Sequence, residues 1–457
     1  MAKTGSKRDL FEAMPVPAAL TRMAVPTIVS QLIVLIYNMA DTWFIGRTND
    51  PYKVAASSLV LTVFLMTMSL ANLFGVGGGS LMVRLLGAKD REEARRVASV
   101  SLTMAAGAAL SFSLLCLLFM DPLLRLLGAS DNTIGYARQY LTFVVVIGGV
   151  ATVLSNCMST MLRNSGYSKE ASLGLSLGGL LNIALDPLFM FVILPDGMQV
   201  MGAGLATMLS NVIALCYFMW TYRRVRNDTV LTIPRRIERV RRDSMGAIFS
   251  VGVPAALSLF LFDLTNITIN RLAASHGDIQ LAAIGIVLKV ERLPLNIGIG
   301  ICLGMIPLVA YNYAAGDHAR MRAFFNAARL AGVVFSVISV VLYRTFAADL
   351  VRAFISDAET VRYGTGFLRA RCFATPFMFL SFHMVHFMQS IGHGRESFLL
   401  AVIRQLGLNI PILLLMNALM GVMGIVWTQA IADSVNVIVS YVIYARVIRS
   451  MQGRART

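Results

Sequence analysis

The stretch LTMAAGAALSFSLLCLLFM (102–120) contains no charged residue, and neither does FVVVIGGVATVLSNCMSTM (143–161). A helix needs roughly 20 predominantly apolar residues to cross about 30 Å of hydrocarbon, and both stretches approach that length. Across all 457 residues, 57% are hydrophobic and 14% are charged, whereas about a quarter of the residues in a soluble domain are charged. The sequence therefore predicts an all-α integral membrane protein.

Twelve transmembrane helices are predicted, six in each half of the chain. They cover residues 23–45, 55–85, 97–120, 138–162, 171–194, 201–222, 247–272, 281–310, 323–345, 365–389, 398–418 and 423–446. A polar, arginine-rich connection between the sixth and seventh helices divides the chain almost in half. The predicted organisation is an N-terminal six-helix bundle at 1–222, a basic cytoplasmic linker at 223–245 and a C-terminal six-helix bundle at 246–457.

The chain has a formal net charge of +16, from 40 basic and 24 acidic residues. In a soluble protein such an excess would suggest a nucleic-acid partner. Here the Lys and Arg residues concentrate in alternate loops, mainly 1–22, 84–96, 223–242 and 446–456, as they do in the short cytoplasmic loops of membrane proteins. This distribution predicts that both termini are cytoplasmic, and it explains the charge without nucleic acid.

The two halves carry an internal repeat, because the same residue types recur at an offset of 227 or 228 positions. The matched residues are Pro26 with Pro254, Asn38 with Asn266, Ala56 with Ala283, Asp90 with Asp317, Arg95 with Arg322 and Asn182 with Asn409. Because each half has an even number of spans, the halves share one orientation and are related by a pseudo-two-fold axis along the membrane normal. Pro26 is a candidate conformational hinge, since proline interrupts helical hydrogen bonding.

Several short motifs, in this order and spacing, resemble the multidrug and toxic compound extrusion (MATE) family. They are PTIVSQLIVLIYNMADTWFIG (26–46), GAKD (87–90), NIALDP (182–187), GAGLAT (202–207) and PLVAYNYAAGD (307–317). The resemblance covers nearly the whole chain and implies two six-helix bundles around a central cavity. It also implies export of organic cations, driven by a sodium or proton gradient.

Acidic residues inside predicted spans are candidate functional residues, because an ionisable side chain in hydrocarbon costs at least a few kcal/mol. Asp41 in the first span and Asp186 in the fifth fall at similar depth in the outer half of the bilayer. Tyr37 and Asn182 lie one helical turn before them, on the same helix faces. The oxygens of these four side chains are suited to a hard monovalent cation. They could equally hold a shared proton, since two adjacent buried acids do not both ionise without a large free-energy cost.

A purely structural role is the alternative for both acids: Asp186 would bond backbone groups freed by Pro187, and Asp41 would be hydrated near the outer surface. The MATE resemblance adds a residue assignment for a sodium or proton site in the first bundle. The residues it implies are Asp41, Asn182, Thr207 and the Ala203 carbonyl, with Asp186 and Tyr37 adjoining.

A second group of charged residues lies in spans 7 and 8. Asp263 and Lys289 match in depth, so they either line the second bundle or form a neutral structural pair between the two spans. In the structural alternative, Glu291 and Arg292 are partly exposed to water. Some MATE relatives place a cation-site acid near this point of span 7, but span 10 lacks the acid with which those relatives pair it.

Three further polar residues lie inside predicted spans. His383 and His386 share one face of span 10, and we expect packed, hydrogen-bonded histidines there. A proton relay or a metal site is the alternative, although no third metal ligand is evident. Asp433 in span 12 is a lone acid, for which we expect cavity lining at most.

The favoured function is a secondary active antiporter that exports small amphipathic, cationic compounds in exchange for Na+ or H+ by alternating access. We expect a monomer in the cytoplasmic (inner) membrane of a bacterium or archaeon. The alternative is a lipid or lipid-linked precursor flippase of related architecture. An enzyme is not expected, because no nucleophile–base pair, complete metal set or ATP-binding motif is evident. No cofactor or metal beyond the coupling ion is predicted.

Overall fold

The computed structural model describes residues 7–233 and 240–454, and within these ranges the chain consists of helices joined by short loops. Long apolar runs form helices because hydrocarbon offers no hydrogen-bond partner to the backbone, and a helix satisfies its own N–H and C=O groups. The helices fall into a first half, up to the arginine-rich connection, and a second half after it.

The first half contains α1 to α9. Two of its spans include a π-helical turn, at Thr142–Ile147 and at Phe189–Ile193. The helices are α1 (Lys7–Glu12), α2 (Val16–Gly46), α3 (Pro51–Gly87), α4 (Arg91–Leu118), α5 (Met120–Leu126), α6 (Ile134–Leu141), α7 (Gly149–Asn164), α8 (Ser168–Leu188) and α9 (Gln199–Val225).

The second half contains α10 to α18. A short 3-10 turn, Cys372–Ala374, joins α14 to α15, and a π-helical turn, Ile403–Asn409, joins α16 to α17. The helices are α10 (Arg242–Ala274), α11 (Asp278–Ala314), α12 (His318–Thr345), α13 (Ala347–Arg352), α14 (Ala358–Arg371), α15 (Thr375–Ser390), α16 (Gly394–Val402), α17 (Ile410–Met420) and α18 (Val422–Arg454).

The predicted all-α fold is confirmed, and each of the twelve predicted spans coincides with one helix or with consecutive helices. Within the described ranges, ten helical segments are long and apolar enough to cross a membrane. Residues 134–147 and 149–164, bent by 48°, form an eleventh crossing. The remaining predicted span corresponds to α14 and α15, where the arginines of α14 lower the hydropathy. The longest helices, α3 and α11, have 37 residues each and match the two longest predicted spans.

The internal repeat is visible in two equivalent turns. Asp90 caps α4 by accepting a 3.1 Å hydrogen bond from the backbone N–H three residues later, and Asp317 caps α12 in the same way at 2.8 Å. The residues before them, Lys89 and Gly316, both adopt left-handed backbone conformations, with φ of 64° and 80°. The matched acids therefore perform the same structural role in both halves.

The two halves pack tightly at the end of the molecule where α1 and the C-terminal end of α18 lie, which we call the terminus side. There α2 packs against α11, and α3 packs against α10. A Cβ on Gly304 of α11 would lie 2.6 Å from the Cα of Ala24, and a Cβ on Gly252 of α10 would lie 2.0 Å from the Leu73 carbonyl oxygen. Only glycine permits such close backbone approach, so the halves are closed against each other on this side.

The N-terminal helix α1 adds to this closure. Phe11 is buried and stacks on Tyr311 with ring centroids 4.8 Å apart. Its carbonyl accepts hydrogen bonds from Asn312 Nδ2 at 3.2 Å and from Arg320 Nε at 2.7 Å. The Phe11 ring also lies against Gly166, where an added Cβ would be 3.3 Å away. Helix α1 therefore contacts both halves.

Replacing Gly304→Val should separate the halves on the terminus side, because the added side chain does not fit against Ala24. Gly285→Val is the matched control, since it lies in the same helix and nothing is within 4 Å of its Cβ position. The distance between spin labels at the exposed residues Lys89 and Ala319 measures the separation, in protein whose native cysteines are replaced. We expect a longer-distance population for Gly304→Val alone; identical distributions in both variants would contradict the close interface.

Candidate functional site

A polar cluster lies between α2, α6, α8 and α9 in the first half. Asp41, in the C-terminal part of α2, accepts a hydrogen bond of 3.2 Å from the buried Tyr140 hydroxyl of α6. Tyr37, one turn before Asp41, lies against α8 at Gly179, where an added Cβ would be 3.0 Å from the Tyr37 ring. Helix α2 thus holds Asp41 and Tyr37 against its neighbours.

The other carboxylate of this cluster, Asp186 of α8, is fully buried and accepts a 3.2 Å hydrogen bond from Asn182 Nδ2. The same amide nitrogen lies 3.4 Å from Thr207 Oγ1 of α9, and Ala203 is buried one turn before Thr207. The helices that carry Asp41 and Asp186, α2 and α8, pack against each other at Tyr37 and Gly179. The structure therefore brings the predicted first-bundle residues together, and their role in cation binding stays a prediction.

The helix around Asp186 departs from regular α geometry. The hydrogen bond that Asp186 accepts comes from the Asn182 side chain, and after Pro187 the chain continues as the π turn Phe189–Ile193. Gly202 of α9 lies against this turn, where an added Cβ would be 2.8 Å from the carbonyl of the turn's first residue. This close approach brings α9 alongside Asp186, and π turns occur frequently at functional sites.

Three buried oxygen atoms of the cluster, Asp41 Oδ1, Asp186 Oδ2 and Asn182 Oδ1, accept no hydrogen bond from the described residues. Within residues 7–233 and 240–454, the ion pairs involve other carboxylates, and no Lys or Arg pairs with Asp41 or Asp186. Buried polar oxygens are normally satisfied. Carboxylate, amide and hydroxyl oxygens without a basic partner fit a proton or a hard cation such as Na+.

In the second half, Glu291 of α11 accepts a 2.7 Å hydrogen bond from Arg371 Nε of α14, and both side chains are buried. The structural alternative, in which Glu291 is partly exposed to water, is therefore wrong for this residue, because Arg371 supplies the charge that permits burial. Lys289 and Arg292 are exposed. The Asp263 side chain lies outside the described residues, so the Asp263–Lys289 pair stays a prediction.

Asp433 of α18 is not a lone acid, and the expectation of simple cavity lining is wrong. Arg404, in the π turn of the eleventh span, donates two hydrogen bonds to its carboxylate, at 2.6 and 3.1 Å. Gln429 Nε2 donates a third at 2.5 Å. Asp433 and Arg404 are both buried, so this carboxylate is neutralised within the protein by a bidentate partner.

The two histidines of the tenth span are packed, as expected, but the expected hydrogen bonding is found only for His386, since both ring nitrogens of His383 are buried without a partner among the described residues. His383 is fully buried and contacts the rings of Phe325 and Phe379, with centroid distances of 4.5 and 5.7 Å. His386 Nδ1 donates a 2.7 Å hydrogen bond to the Phe382 carbonyl. In the part of the chain that the structure describes, no three His, Cys, Asp or Glu side chains come together as a metal site.

Two members of these clusters, Tyr140 and Arg404, were not predicted from the sequence. Tyr140 lies in the polar segment YARQYL (136–141), which is typical of a helix entrance and does not indicate an acidic partner. Arg404 did carry a signal, because an arginine inside an apolar span is costly unless it is paired. That signal favours an acid at similar depth on a neighbouring span, which is where Asp433 lies.

Two related helical halves that are closed against each other at one end, with a buried acidic cluster in one of them, define a multi-pass membrane transporter. The MatE family model matches this sequence twice, at residues 26–188 and 254–415, once in each half. The chain belongs to the MatE family, and it is a transporter rather than an enzyme.

Individual relatives agree with this assignment. "Multidrug export protein MepA" of Staphylococcus aureus is 31% identical over 425 residues, covering 93% of this chain and 92% of that protein. An outward-facing multidrug resistance MATE family transporter of the MOP superfamily has a TM-score of 0.92 at 23% identity, covering 99% of this chain and all of that one. A MOP superfamily transporter from Pyrococcus furiosus has a TM-score of 0.90 at 24% identity, with the same coverage. At these identities the structures show the shared fold alone.

Replacing Arg404→Gln should lower the free energy of unfolding by about 3–5 kcal/mol, because it leaves Asp433 buried without a counter-charge. Arg362→Gln is the control, since Arg362 is exposed and its 3.9 Å pair with Glu359 is worth at most about 1 kcal/mol. Thermal unfolding in detergent compares the variants. Adding Asp433→Asn to Arg404→Gln should restore part of the loss, and equal unfolding temperatures for both single variants would contradict the role of the pair.

Proposed function

We propose that this protein is a secondary active antiporter that exports small amphipathic, cationic compounds in exchange for Na+ or H+. The observation that carries the proposal is that Asp41 Oδ1 and Asp186 Oδ2 are buried without a hydrogen-bond partner among the described residues. Two neighbouring carboxylates repel each other when both are ionised, so one bound monovalent cation or proton relieves the repulsion. The proposal requires no cofactor other than this coupling ion.

The named relatives support small organic compounds as the exported substrates. The Staphylococcus aureus relative is named a multidrug export protein, and one solved structure is described as a multidrug resistance transporter. The acidic cluster of the first half favours cationic compounds among them, because negative charge attracts positively charged compounds and repels negatively charged ones.

The distribution of basic residues supports an orientation with both termini in the cytoplasm of a bacterium or archaeon. In that orientation, the contact of Gly304 with Ala24 closes the protein toward the cytoplasm, and the described state faces outward. A cation from outside then reaches Asp41 and Asp186 while the cytoplasmic passage is closed. The opposite state, open on the terminus side, receives the substrate from the cytoplasm.

Helix α2 links the acidic cluster to the closed end. Asp41 lies in its C-terminal part, Ala24 in its N-terminal part, and Pro26 lies between them. Near this proline the Met23 carbonyl accepts a 2.6 Å hydrogen bond from the Ser168 hydroxyl of α8, which ties α2 to α8 at this point. A cation at Asp41 shifts the balance of states only if it binds one of them more tightly, and Pro26 is the hinge at which α2 adjusts.

A lipid or lipid-linked precursor flippase is not favoured by the comparisons or by the two buried arginines of the second half. A cavity that receives a phosphate group needs accessible cationic side chains. Arg371 and Arg404 are instead buried in ion pairs with Glu291 and Asp433.

Purified protein in liposomes tests both the function and the coupling ion. Efflux of a cationic dye is measured under a sodium gradient and, separately, under a pH gradient. We expect transport driven by one of the two gradients, which identifies the coupling ion, and transport driven by neither would contradict antiport.

Asp41→Asn should abolish gradient-driven efflux, because the neutral amide removes the charge that attracts the coupling cation. Asp131→Asn is the matched control, since the Asp131 side chain is 89% exposed in a loop and lies outside the cluster. Both variants are compared at equal protein amounts in the membrane. Undiminished efflux by Asp41→Asn would overturn the assignment of the site.

A further inference from the structure

A groove runs along the surface of the second half between α12, α15 and α18, with a volume of about 510 Å³. The residues that line it are Asn326, Arg329, Leu330, Val333, Leu380 and Tyr441. Leu330 is 66% exposed, and the exposed side chains of Val334 and Val341 continue the same apolar face of α12. In a membrane, such a face contacts lipid, so the groove opens toward the surrounding acyl chains.

The groove contains an arginine with no acidic partner among the described residues. Arg329 Nη1 donates a 3.2 Å hydrogen bond to the Tyr441 hydroxyl, and its guanidinium lies 5.8 Å from the centre of the Phe325 ring. Arg322 lies two turns earlier on α12. Within residues 7–233 and 240–454 no carboxylate pairs with either arginine, so the wall of the groove carries an unbalanced positive charge.

The depth of Arg329 places its guanidinium near the boundary between headgroups and acyl chains. Helix α12 begins at His318 on the terminus side, so the Arg329 Cα lies roughly 16 Å along the helix at about 1.5 Å per residue. Helical side chains lean toward the N-terminus of their helix, which brings the guanidinium back toward the terminus-side surface. Long basic side chains near helix ends extend to the membrane interface, so at this depth the guanidinium can meet a lipid phosphate.

Arg322 has the repeat partner Arg95 in the first half, but the groove-lining residues Asn326, Arg329 and Tyr441 have no such equivalent, so the shared scaffold does not require them. At the repeat offset of 227 positions, the matching residues are Ser99 for Asn326, Leu102 for Arg329 and Ala214 for Tyr441. The arginine and the tyrosine are therefore features of the second half alone. A function specific to this surface accounts for them better than packing of the repeat does.

We propose that this groove binds one anionic phospholipid from the terminus-side leaflet. The lipid phosphate pairs with Arg329, Arg322 adds a second positive charge, and the Tyr441 hydroxyl donates a hydrogen bond. One acyl chain lies along Leu330 and Val333. Arginine binds phosphate oxygens strongly and directionally, and basic pockets between transmembrane helices bind anionic headgroups. The bound lipid then balances the charge of Arg329 and bridges α12 to α18.

The test uses the full chain in phosphatidylcholine nanodiscs, titrated with phosphatidylglycerol and read by native mass spectrometry. We expect the unmodified protein to retain phosphatidylglycerol in preference to phosphatidylcholine. Arg329→Gln should weaken this retention about tenfold, the loss of one charged hydrogen bond, whereas Arg329→Lys keeps most of it. Arg449→Gln is the control, because Arg449 is an exposed arginine of α18 on the terminus side that does not line the groove.

Unchanged retention in Arg329→Gln, or an equal loss in Arg449→Gln, would overturn the proposal. Displacement of the lipid by millimolar glycerol 3-phosphate would also overturn it, because the site would then serve a soluble phosphate. If Arg329→Gln does not fold, Tyr441→Phe provides the same test with the packing preserved. It should weaken retention by about fivefold, the effect of one neutral hydrogen bond.

Discussion

Moving a carboxylate from water into hydrocarbon costs several kcal/mol unless a positive charge or a proton accompanies it. In the second half of this protein, Arg404 supplies that charge to Asp433 through two hydrogen bonds. In the first half, no basic side chain among the described residues does so for Asp41 or Asp186. On our proposal a cation from outside the protein fills this role, and the need for it couples ion movement to the state of the transporter.

The same scaffold position serves different chemistry in the two halves. Asn182 donates its amide to Asp186. Its repeat partner Asn409 donates to Gln405 Oε1 at 3.1 Å, and the residue equivalent to Asp186 is the buried Leu413. The repeat therefore preserves an inward-facing amide, while the acid beside it is present in only one half. On our proposal the two halves of one fold divide the work, with ion chemistry in the first half, whereas in the second half Arg371 and Arg404 pair with the buried carboxylates Glu291 and Asp433.

The length and composition of the apolar stretches were sufficient to predict the twelve spans, because few structures other than an apolar helix can cross the hydrocarbon of a membrane. Asp41 and Asp186 were recognisable as candidates for the same reason, since acids in apolar helices stand out. The partners Tyr140 and Arg404 were not predicted, because chain order does not reveal which helix faces meet. Closure on the terminus side was also not predicted, since the composition of the helices does not indicate at which end the two halves pack closely.

The proposal that only the first half binds coupling ions is tested most directly by the number of cations that the purified protein binds. Equilibrium binding of radioactive sodium and proton release are measured for the unmodified chain, for Asp186→Asn and for the double variant Arg404→Met with Asp433→Leu. We expect one cation or proton per chain, lost in Asp186→Asn and retained in the double variant. Two cations per chain, or one that persists in Asp186→Asn, would contradict a single site in the first half.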